Sequence, residues 1–156
     1  MKCSTNKLYN INKLISKQQN CGKKYKCLEK MFLNRNHIIK KMMKNCRDEK
    51  CANRVVKSKK YFNALADGGA GELIKCYKQN CNEEYTVLSN AVSQESKNMK
   101  FIKSLVNKVK SKKITENDAI QKIKNKKLTK KNAKQFLKTC KEKFLKEEKL
   151  FKKNFL

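Results

Sequence analysis

At 156 residues the chain is long enough for one domain of ordinary size or two small ones, and its 38% hydrophobic content predicts a thin core. A net charge of +28 repels itself in the compact state, so we expect an anionic partner, covalent cross-links, or both. The sequence has neither the roughly 18 consecutive apolar residues of a membrane span nor the apolar h-region of a signal peptide, and we therefore expect an intracellular protein.

The first predicted region, residues 1–66, is basic and helical. The whole chain lacks proline and is rich in Lys, Leu, Ile and Met, so little interrupts a helix. Apolar residues spaced by three and four predict helices over about 5–19, 23–45 and 52–66. Gly22 is predicted to end the first of these helices.

The second region, residues 67–111, is predicted to be a loop followed by a long central helix. The glycines of "DGGAG" (67–71) predict a turn. From Leu73 to Val109, apolar residues recur every three or four positions, which indicates one helix of about 40 residues or two helices with a kink near "SQESKN". A helix of that length, at about 1.5 Å per residue, predicts an elongated all-α fold with partners along it.

The third region, residues 112–156, is predicted to be a basic helical hairpin. "KKITENDAIQ" aligns with "KKLTKKNAKQ", and each copy places a threonine three residues before Asp or Asn. That spacing predicts N-caps at Thr115 and Thr129, with Asp118 and Asn132 at the N3 positions. We therefore expect a short helix, a tight turn and a longer second helix.

Two basic arms flank a nearly neutral centre. Residues 1–66 and residues 99–156 each have a net charge of +15, whereas residues 67–98 have −2. Lysine provides nearly all of the positive charge, which favours diffuse electrostatic contact over the bidentate contacts of arginine. Two alternatives stay open: the lysines form solvated helix faces, or they reflect an AT-rich coding bias. The lysines that we expect to contact anions are Lys40, Lys41, Lys44, Lys59, Lys60, Lys112, Lys113, Lys126, Lys127, Lys130 and Lys131.

The eight cysteines allow several kinds of chemistry. "KNCRDEKC" and "KCYKQNC" each contain a C-x4-C pair, and four thiolates could hold zinc, although structural zinc sites usually use C-x2-C. Redox catalysis favours C-x-x-C, which the sequence lacks. Buried free thiols are a further alternative, for which Cys81 and Cys140 are candidates because both lie on apolar stripes. The candidates for disulfides are Cys46, Cys81, Cys51, Cys76, Cys21 and Cys27.

Helix geometry favours disulfides between helices. Two cysteines five positions apart on one helix point about 140° away from each other, so they do not readily face one metal. In antiparallel helices paired positions have a constant index sum, and both Cys46–Cys81 and Cys51–Cys76 have a sum of 127. A hairpin tip at "DGGAG" would require a sum of about 138, so this pairing needs an earlier bend or a different connectivity. A further disulfide is expected near the N-terminus, among Cys3, Cys21 and Cys27.

No constellation of residues for catalysis is recognisable in the sequence. His37 is the only histidine, and no acidic residue lies within helical reach of it. P-loop, G-x-G-x-x-G and H-E-x-x-H motifs are missing. We therefore expect a protein that is not an enzyme, with no catalytic residue, cofactor, metal or small-molecule substrate.

The stretches "NCRDEKC" and "KCYKQNCNEEY", the Lys/Asn bias and the long helices carry a resemblance. In these features the chain resembles the small Lys-rich, Cys-containing helical virion proteins of large nucleocytoplasmic DNA viruses. The resemblance implies a minor capsid component in a virion assembled in the host cytoplasm, with disulfides made by a viral thiol oxidase. Its implied partners are capsid-lattice or other minor capsid proteins, with the lysine arms meeting acidic protein faces, anionic lipid or nucleic acid. The alternatives are a nucleic-acid-condensing protein and a zinc-stabilised adaptor.

Overall fold

The computed structural model describes residues 1–130 and 132–156, and most of them are helical. This part of the chain contains eight α-helices and no strand, which confirms the all-α prediction. The predicted long central helix is also confirmed, as the 29-residue helix α6. The helices in chain order are α1 (Asn6–Tyr9), α2 (Ile11–Lys24), α3 (Cys27–Met43), α4 (Glu49–Val56), α5 (Lys59–Asn80), α6 (Asn82–Lys110), α7 (Glu116–Asn125) and α8 (Ala133–Phe155).

The helices form two compact units, which we call the hairpin unit and the bundle unit. The hairpin unit is Lys13–Leu88, and the bundle unit combines Met1–Asn12 with Ser89–Leu156. This division differs from the three regions expected from the sequence, because the first residues contact residues 91 and 137 positions later. The hairpin unit has 18 basic and 7 acidic residues, net +11, and the bundle unit has 23 and 6, net +17.

The core of the bundle unit is formed by one face each of α6, α7 and α8. On α6, Ile102, Leu105 and Val106 are spaced three and one apart, so they share one face of the helix. Burial of a large apolar side chain contributes about 1.5–3 kcal/mol, so this cluster contributes a large share of the unit's stability. The buried members are Cys3, Ile102, Leu105, Val106, Ala119, Ile123, Leu128, Ala133, Phe136, Leu137 and Cys140.

The hairpin unit is built on α3 and α5, which pack side by side in opposite directions. Cys27, at the start of α3, is bonded to Cys76, near the end of α5. Nearer the middle of both helices, a Cβ atom on Gly69 would lie 3.0 Å from Cδ of Arg35, so glycine allows a close approach. The turn predicted at "DGGAG" is therefore wrong: these residues lie inside α5, and two of the glycines face α3.

Three other predicted boundaries are wrong. Helix α2 continues through Gly22, where a Cβ atom would lie 2.6 Å from Cε1 of Tyr77, so this glycine serves a close contact and not a helix end. The helix predicted over 52–66 is divided, because Ser58 caps the start of α5 with its side chain. The helix of about 40 residues is divided at Cys81, whose backbone (φ −133°, ψ 41°) leaves the helical region.

The predicted N-cap at Thr115 is confirmed, whereas the one at Thr129 is wrong. Thr115 and Asp118 form a complete capping box at the start of α7. At α8 the cap is Asn132, whose side chain accepts hydrogen bonds from two backbone N–H groups of the first turn. The reason is that Leu128 still belongs to the turn that closes α7, which moves the next helix start further along the chain.

Candidate functional site

All eight cysteines are oxidised and form four disulfides. Their Cα–Cα distances, from 4.8 to 6.0 Å, lie in the usual range for this bond. The prediction of disulfides is therefore confirmed, and the alternative of free thiols at Cys81 and Cys140 is wrong. The pairs are Cys3–Cys140 in the bundle unit and Cys21–Cys81, Cys27–Cys76 and Cys46–Cys51 in the hairpin unit.

The predicted nested pairing, Cys46–Cys81 with Cys51–Cys76, is wrong. The further disulfide expected among Cys3, Cys21 and Cys27 is also wrong, because each of these cysteines bonds to one much later in the chain. Cys46 and Cys51 bond to each other, because the chain leaves α3 and turns before α4, so the two residues do not share a helix. The constant index sum does hold in the hairpin unit, but with cysteines from α2 and α3. The index sum of the paired cysteines is near 103. The tip of the hairpin lies at half of this sum, which is close to the Cys46–Cys51 disulfide. The pairs that obey the rule are Cys21–Cys81, with a sum of 102, and Cys27–Cys76, with a sum of 103.

The cysteines offer no four-thiolate zinc site in this oxidised form. The sulfurs of the two C-x4-C stretches belong to three different disulfides. In the described chain, potential metal ligands of Cys21, Cys81 and Glu84 lie within 4.8 Å of one another. Two of these three residues are bonded to each other, and zinc binds thiolates, so a metal here would first require reduction of the disulfide.

Five candidate anion-contact lysines lie at one end of the hairpin unit. Lys40, Lys41 and Lys44 lie at the end of α3, and Lys59 and Lys60 form the start of the antiparallel α5. All five are exposed, and none forms a salt bridge within the described structure. The helix dipole disfavours cations in a first turn, so helix stability does not explain the two lysines on α5.

The candidate lysines of the bundle unit divide into two groups. One group precedes α7 and the other follows it, and ten helical residues separate them by about 15 Å. Lys126 also lies over the ring of Phe101, with Nζ 3.9 Å from the ring centre. The described members are exposed and form no salt bridge. They are Lys112 and Lys113 before α7, and Lys126, Lys127 and Lys130 after it; Lys131 lies outside the described residues.

A polar cluster that was not predicted from the sequence holds the first residues of the bundle unit against α6. The Glu95 carboxylate accepts hydrogen bonds of 3.0 Å from Ser4 Oγ and from the backbone N–H of Thr5, and another from the Thr5 hydroxyl. Asn98 donates to Thr5 Oγ1 at 3.3 Å and to the Tyr9 hydroxyl at 3.2 Å. Among the described residues no buried side-chain polar atom lacks a partner, so this cluster serves as a structural clasp.

A groove of about 850 Å³ runs between α6 and α8 in the bundle unit. Its apolar lining residues are Val106 and Val109 from α6 and Phe144, Leu145 and Phe151 from α8. Val106 is buried, whereas Leu145 and Phe151 are 47% and 57% exposed. The apolar residues of α8 are buried only in the first half of the helix. The second half is open to solvent.

Of the two acidic residues that line this groove, Glu148 is compensated by lysines. Lys110 Nζ donates to Glu148 Oε2 at 3.1 Å, and Lys152 Nζ lies 3.1 Å from Oε1 of the same carboxylate. These two lysines hold the pKa of Glu148 below its usual value, so the group stays ionised at neutral pH. Lys141, on the groove, lies 3.8 Å from Glu116.

A row of lysines borders the α6 side of the groove. Lys100, Lys103, Lys108 and Lys113, which we call the lysine strip, line one shallow surface together with serine and asparagine side chains. No carboxylate lines this described surface. Lys103 belongs to both the strip and the groove, and its Nζ lies 5.9 Å from the ring centre of Phe144. An apolar groove beside a basic strip is suited to a surface that is both apolar and acidic.

No known protein family, curated protein or solved structure matches this chain. None of the helices in the described ranges is long and apolar enough to cross a membrane. The class that the fold itself defines is an all-α protein cross-linked by four disulfides.

Proposed function

We propose that this protein is a non-enzymatic structural protein that bridges neighbouring proteins in a larger assembly, as a minor capsid component does in a virion. One observation carries the proposal: helices held by disulfides present large apolar side chains to solvent beside lysines that have no ion-pair partner. Covering such a surface with another protein is favourable, because its apolar side chains are removed from water.

In the hairpin unit, several exposed apolar side chains lie on the two packed helices α3 and α5. Leu28, Phe32 and Leu33 on α3 and Phe62 on α5 are between 49% and 70% exposed. Burial of one such side chain in an interface contributes about 1.5–3 kcal/mol before the cost of association. The disulfides hold the unit together and leave these side chains available for partners. Its buried residues are Gly22, Cys27, Gly69, Cys76 and Cys81.

The charge of both units favours acidic neighbours. The hairpin unit has a net charge of +11 and the bundle unit +17. Ten of the candidate lysines are exposed without a salt bridge in the described structure, so a partner's carboxylates can reach them. Complementary charge speeds association and excludes basic partners. The expected neighbours are therefore proteins with acidic, partly apolar faces.

A virion is the assembly that the resemblance to small Lys-rich, Cys-containing viral proteins implies. In that setting a viral thiol oxidase would form the four disulfides without secretion. The exposed apolar side chains would contact the capsid lattice or other minor capsid proteins. The lysines would meet acidic capsid faces or lipid head groups.

Cross-linking of the native assembly tests this proposal. Purified particles of the proposed assembly are treated with a lysine-reactive cross-linker, and the linked peptides are identified by mass spectrometry. We expect links from Lys40 or Lys59 and from Lys103 to at least two different structural proteins, and the same links after nuclease treatment. A protein that is missing from the particles, or is linked only to itself, contradicts the proposal.

The second candidate function is the condensation of nucleic acid, which the exposed lysines without ion-pair partners favour. Affinity for duplex DNA would then fall with salt, with a log–log slope of about −0.9 per phosphate contacted. A steep slope together with release of the protein from particles by nuclease would replace the structural proposal. A flat salt response would exclude this candidate.

A further inference from the structure

We infer that the groove between α6 and α8 binds an amphipathic helix of a neighbouring protein, and that the polar side of this guest helix is acidic. The inference rests on the proposed function in assuming a protein neighbour. It adds which surface of the bundle unit is used and what chemistry the partner presents there.

The groove has the length of a site for a short helix. Its lining extends from Lys103 to Lys110 along α6 and from Lys141 to Phe151 along α8. At 1.5 Å per residue these stretches span about 10 Å and about 15 Å. Fifteen ångströms correspond to roughly three turns of a guest helix, which presents apolar side chains at positions i, i+4 and i+7.

The open apolar side chains of the groove supply the contact energy. Leu145 and Phe151 are about half exposed, and they line the same groove as the buried Val106 and the partly buried Val109 and Phe144. A guest that covers the two exposed side chains removes them from water without moving the core of the unit. That arrangement favours a rigid apolar ridge, such as one face of a helix.

The lysine strip favours a guest helix with acidic side chains. It borders the α6 side of the groove, and no carboxylate among the described residues lines it. On the α8 side, the charge of Glu148 is balanced by Lys110 and Lys152, and Glu147 remains. Acidic side chains of a guest are therefore attracted toward α6 and repelled from Glu147, which also defines the orientation of the guest.

Two other occupants fit these surfaces less well. A second copy of this chain would present its own α8, which has eight basic and three acidic residues, and would bring like charge to the lysine strip. Nucleic acid would satisfy the strip through its phosphates but would leave Leu145 and Phe151 in water. An acidic amphipathic helix uses both surfaces at once.

Fluorescence anisotropy with a labelled peptide tests the inference. The probe is a helical peptide of about 16 residues, with leucine at i, i+4, i+7 and i+11 and glutamate along one flank. It is titrated with the full-length oxidised protein at about 0.15 M salt, where non-specific attraction between exposed charges is screened. A peptide of the same composition with a scrambled order keeps the charge and loses the apolar face.

Two leucines on α8 provide matched variants. Leu145 lines the groove, whereas Leu150 does not line it and is 59% exposed. We expect Leu145→Ala to weaken binding of the peptide by about tenfold and Leu150→Ala by less than about twofold. Circular dichroism and a mass spectrum showing four disulfides establish that both variants fold.

Charge variants follow the same design. Lys100→Gln with Lys113→Gln removes two lysines of the strip, and Lys138→Gln with Lys149→Gln removes two exposed lysines of α8 outside the groove. We expect the first pair to weaken binding by about fivefold and the second by less than about twofold.

The inference is overturned if the scrambled peptide binds as well as the probe, or if the two leucine variants behave alike. It is also overturned if a short DNA duplex, and not the peptide, responds to Leu145→Ala. If the peptide does not bind while the cross-links in native particles persist, only the groove inference fails. If the peptide binds as expected but the protein is missing from the particles, only the proposed function fails.

Discussion

The carboxylate of Glu95, on α6, accepts hydrogen bonds from both the backbone N–H and the hydroxyl of Thr5, which lies 90 residues earlier. Thr5 precedes α1 but its side chain does not cap that helix. The hydroxyl is directed to Glu95 instead. Together with the nearby Cys3–Cys140 disulfide, this contact makes the first twelve residues part of the bundle unit.

Replacement of Glu95 by glutamine should weaken this contact. Glutamine keeps the size of the side chain but removes the charge that strengthens its hydrogen bonds, so we expect Glu95→Gln to lower the free energy of unfolding by about 1–2 kcal/mol. Denaturant unfolding followed by circular dichroism measures the change. Glu142→Gln, at an exposed position of α8, is the control and should change stability by less than about 0.5 kcal/mol. Equal effects of the two variants would show that Glu95 does not hold the N-terminal residues.

The Cys46–Cys51 disulfide should be the first to open under mild reduction. Both of its cysteines are partly exposed, whereas each of the other disulfides contains at least one buried cysteine. Brief treatment with a dithiol, alkylation and peptide mapping should therefore find the label first at Cys46 and Cys51. Early labelling at Cys27 or Cys76 would contradict the expectation.

The Cys46–Cys51 and Cys27–Cys76 disulfides should differ in their contribution to the free energy of unfolding. In the loop-entropy description, a bond across a separation of 5 residues contributes roughly 2 kcal/mol and one across 49 residues roughly 4 kcal/mol. We therefore expect Cys27→Ser with Cys76→Ser to lower the free energy of unfolding more than Cys46→Ser with Cys51→Ser. Denaturant unfolding of the two double variants measures both losses. A larger loss for the Cys46/Cys51 variant would contradict this expectation.

The glycines of α5 should respond differently to alanine. A Cβ atom at Gly71 would have no neighbouring atom within 4 Å, so Gly71→Ala should raise the free energy of unfolding by about 0.5–1 kcal/mol through helix propensity. At Gly68 a Cβ would displace Cδ1 of Ile38, the end of a flexible side chain, so Gly68→Ala should raise the free energy of unfolding less than Gly71→Ala does. Thermal unfolding of the two variants measures both changes. Similar stabilisation by both would show that α3 and α5 are not in close contact at Gly68.

The capping box of α7 should make stability depend on pH. Hydrogen bonds from the backbone and side chain of Thr115 hold the pKa of Asp118 below its usual value. Because the pKa is lower in the folded state, the contribution of Asp118 is present above its unfolded pKa and is lost as the pH falls through the folded pKa. Asp118→Asn should therefore destabilise the protein at pH 7, and its difference from the wild type should shrink below about pH 4. Unfolding curves across this range test the effect.

A neighbouring substitution is the control for this pH dependence. Asn117→Ala lies at an exposed position of the same helix and removes no titratable group. Its difference from the wild type should stay constant with pH. A difference for Asp118→Asn that is equally constant would contradict the assigned role of the carboxylate.

Part of the candidate site could be predicted from the sequence. The exposed lysines and the apolar residues of α8 were visible as composition and spacing, but their exposure was not, because the stripe on α8 continues beyond the core. The polar cluster around Glu95 has one signal in the sequence. Glu95 and Asn98 lie between Ala91 and Ile102, at positions that the helical period assigns to the buried face. Charged and polar residues on such a face indicate a buried partner, but they do not identify Thr5.

Features that depend on residues within one or two turns of each other could be predicted from the sequence. The absence of proline and the apolar spacing predicted an all-α chain, and the Thr115–Asp118 spacing predicted a capping box that the structure contains. The pairing of the cysteines and the position of "DGGAG" inside a helix depend on how the helices pack, and the sequence did not predict them. Capping and helix propensity act between residues that are close in the sequence. Disulfide pairing and glycine contacts join distant residues, because they depend on which helices pack together. In this chain three disulfides join residues 49 to 137 positions apart.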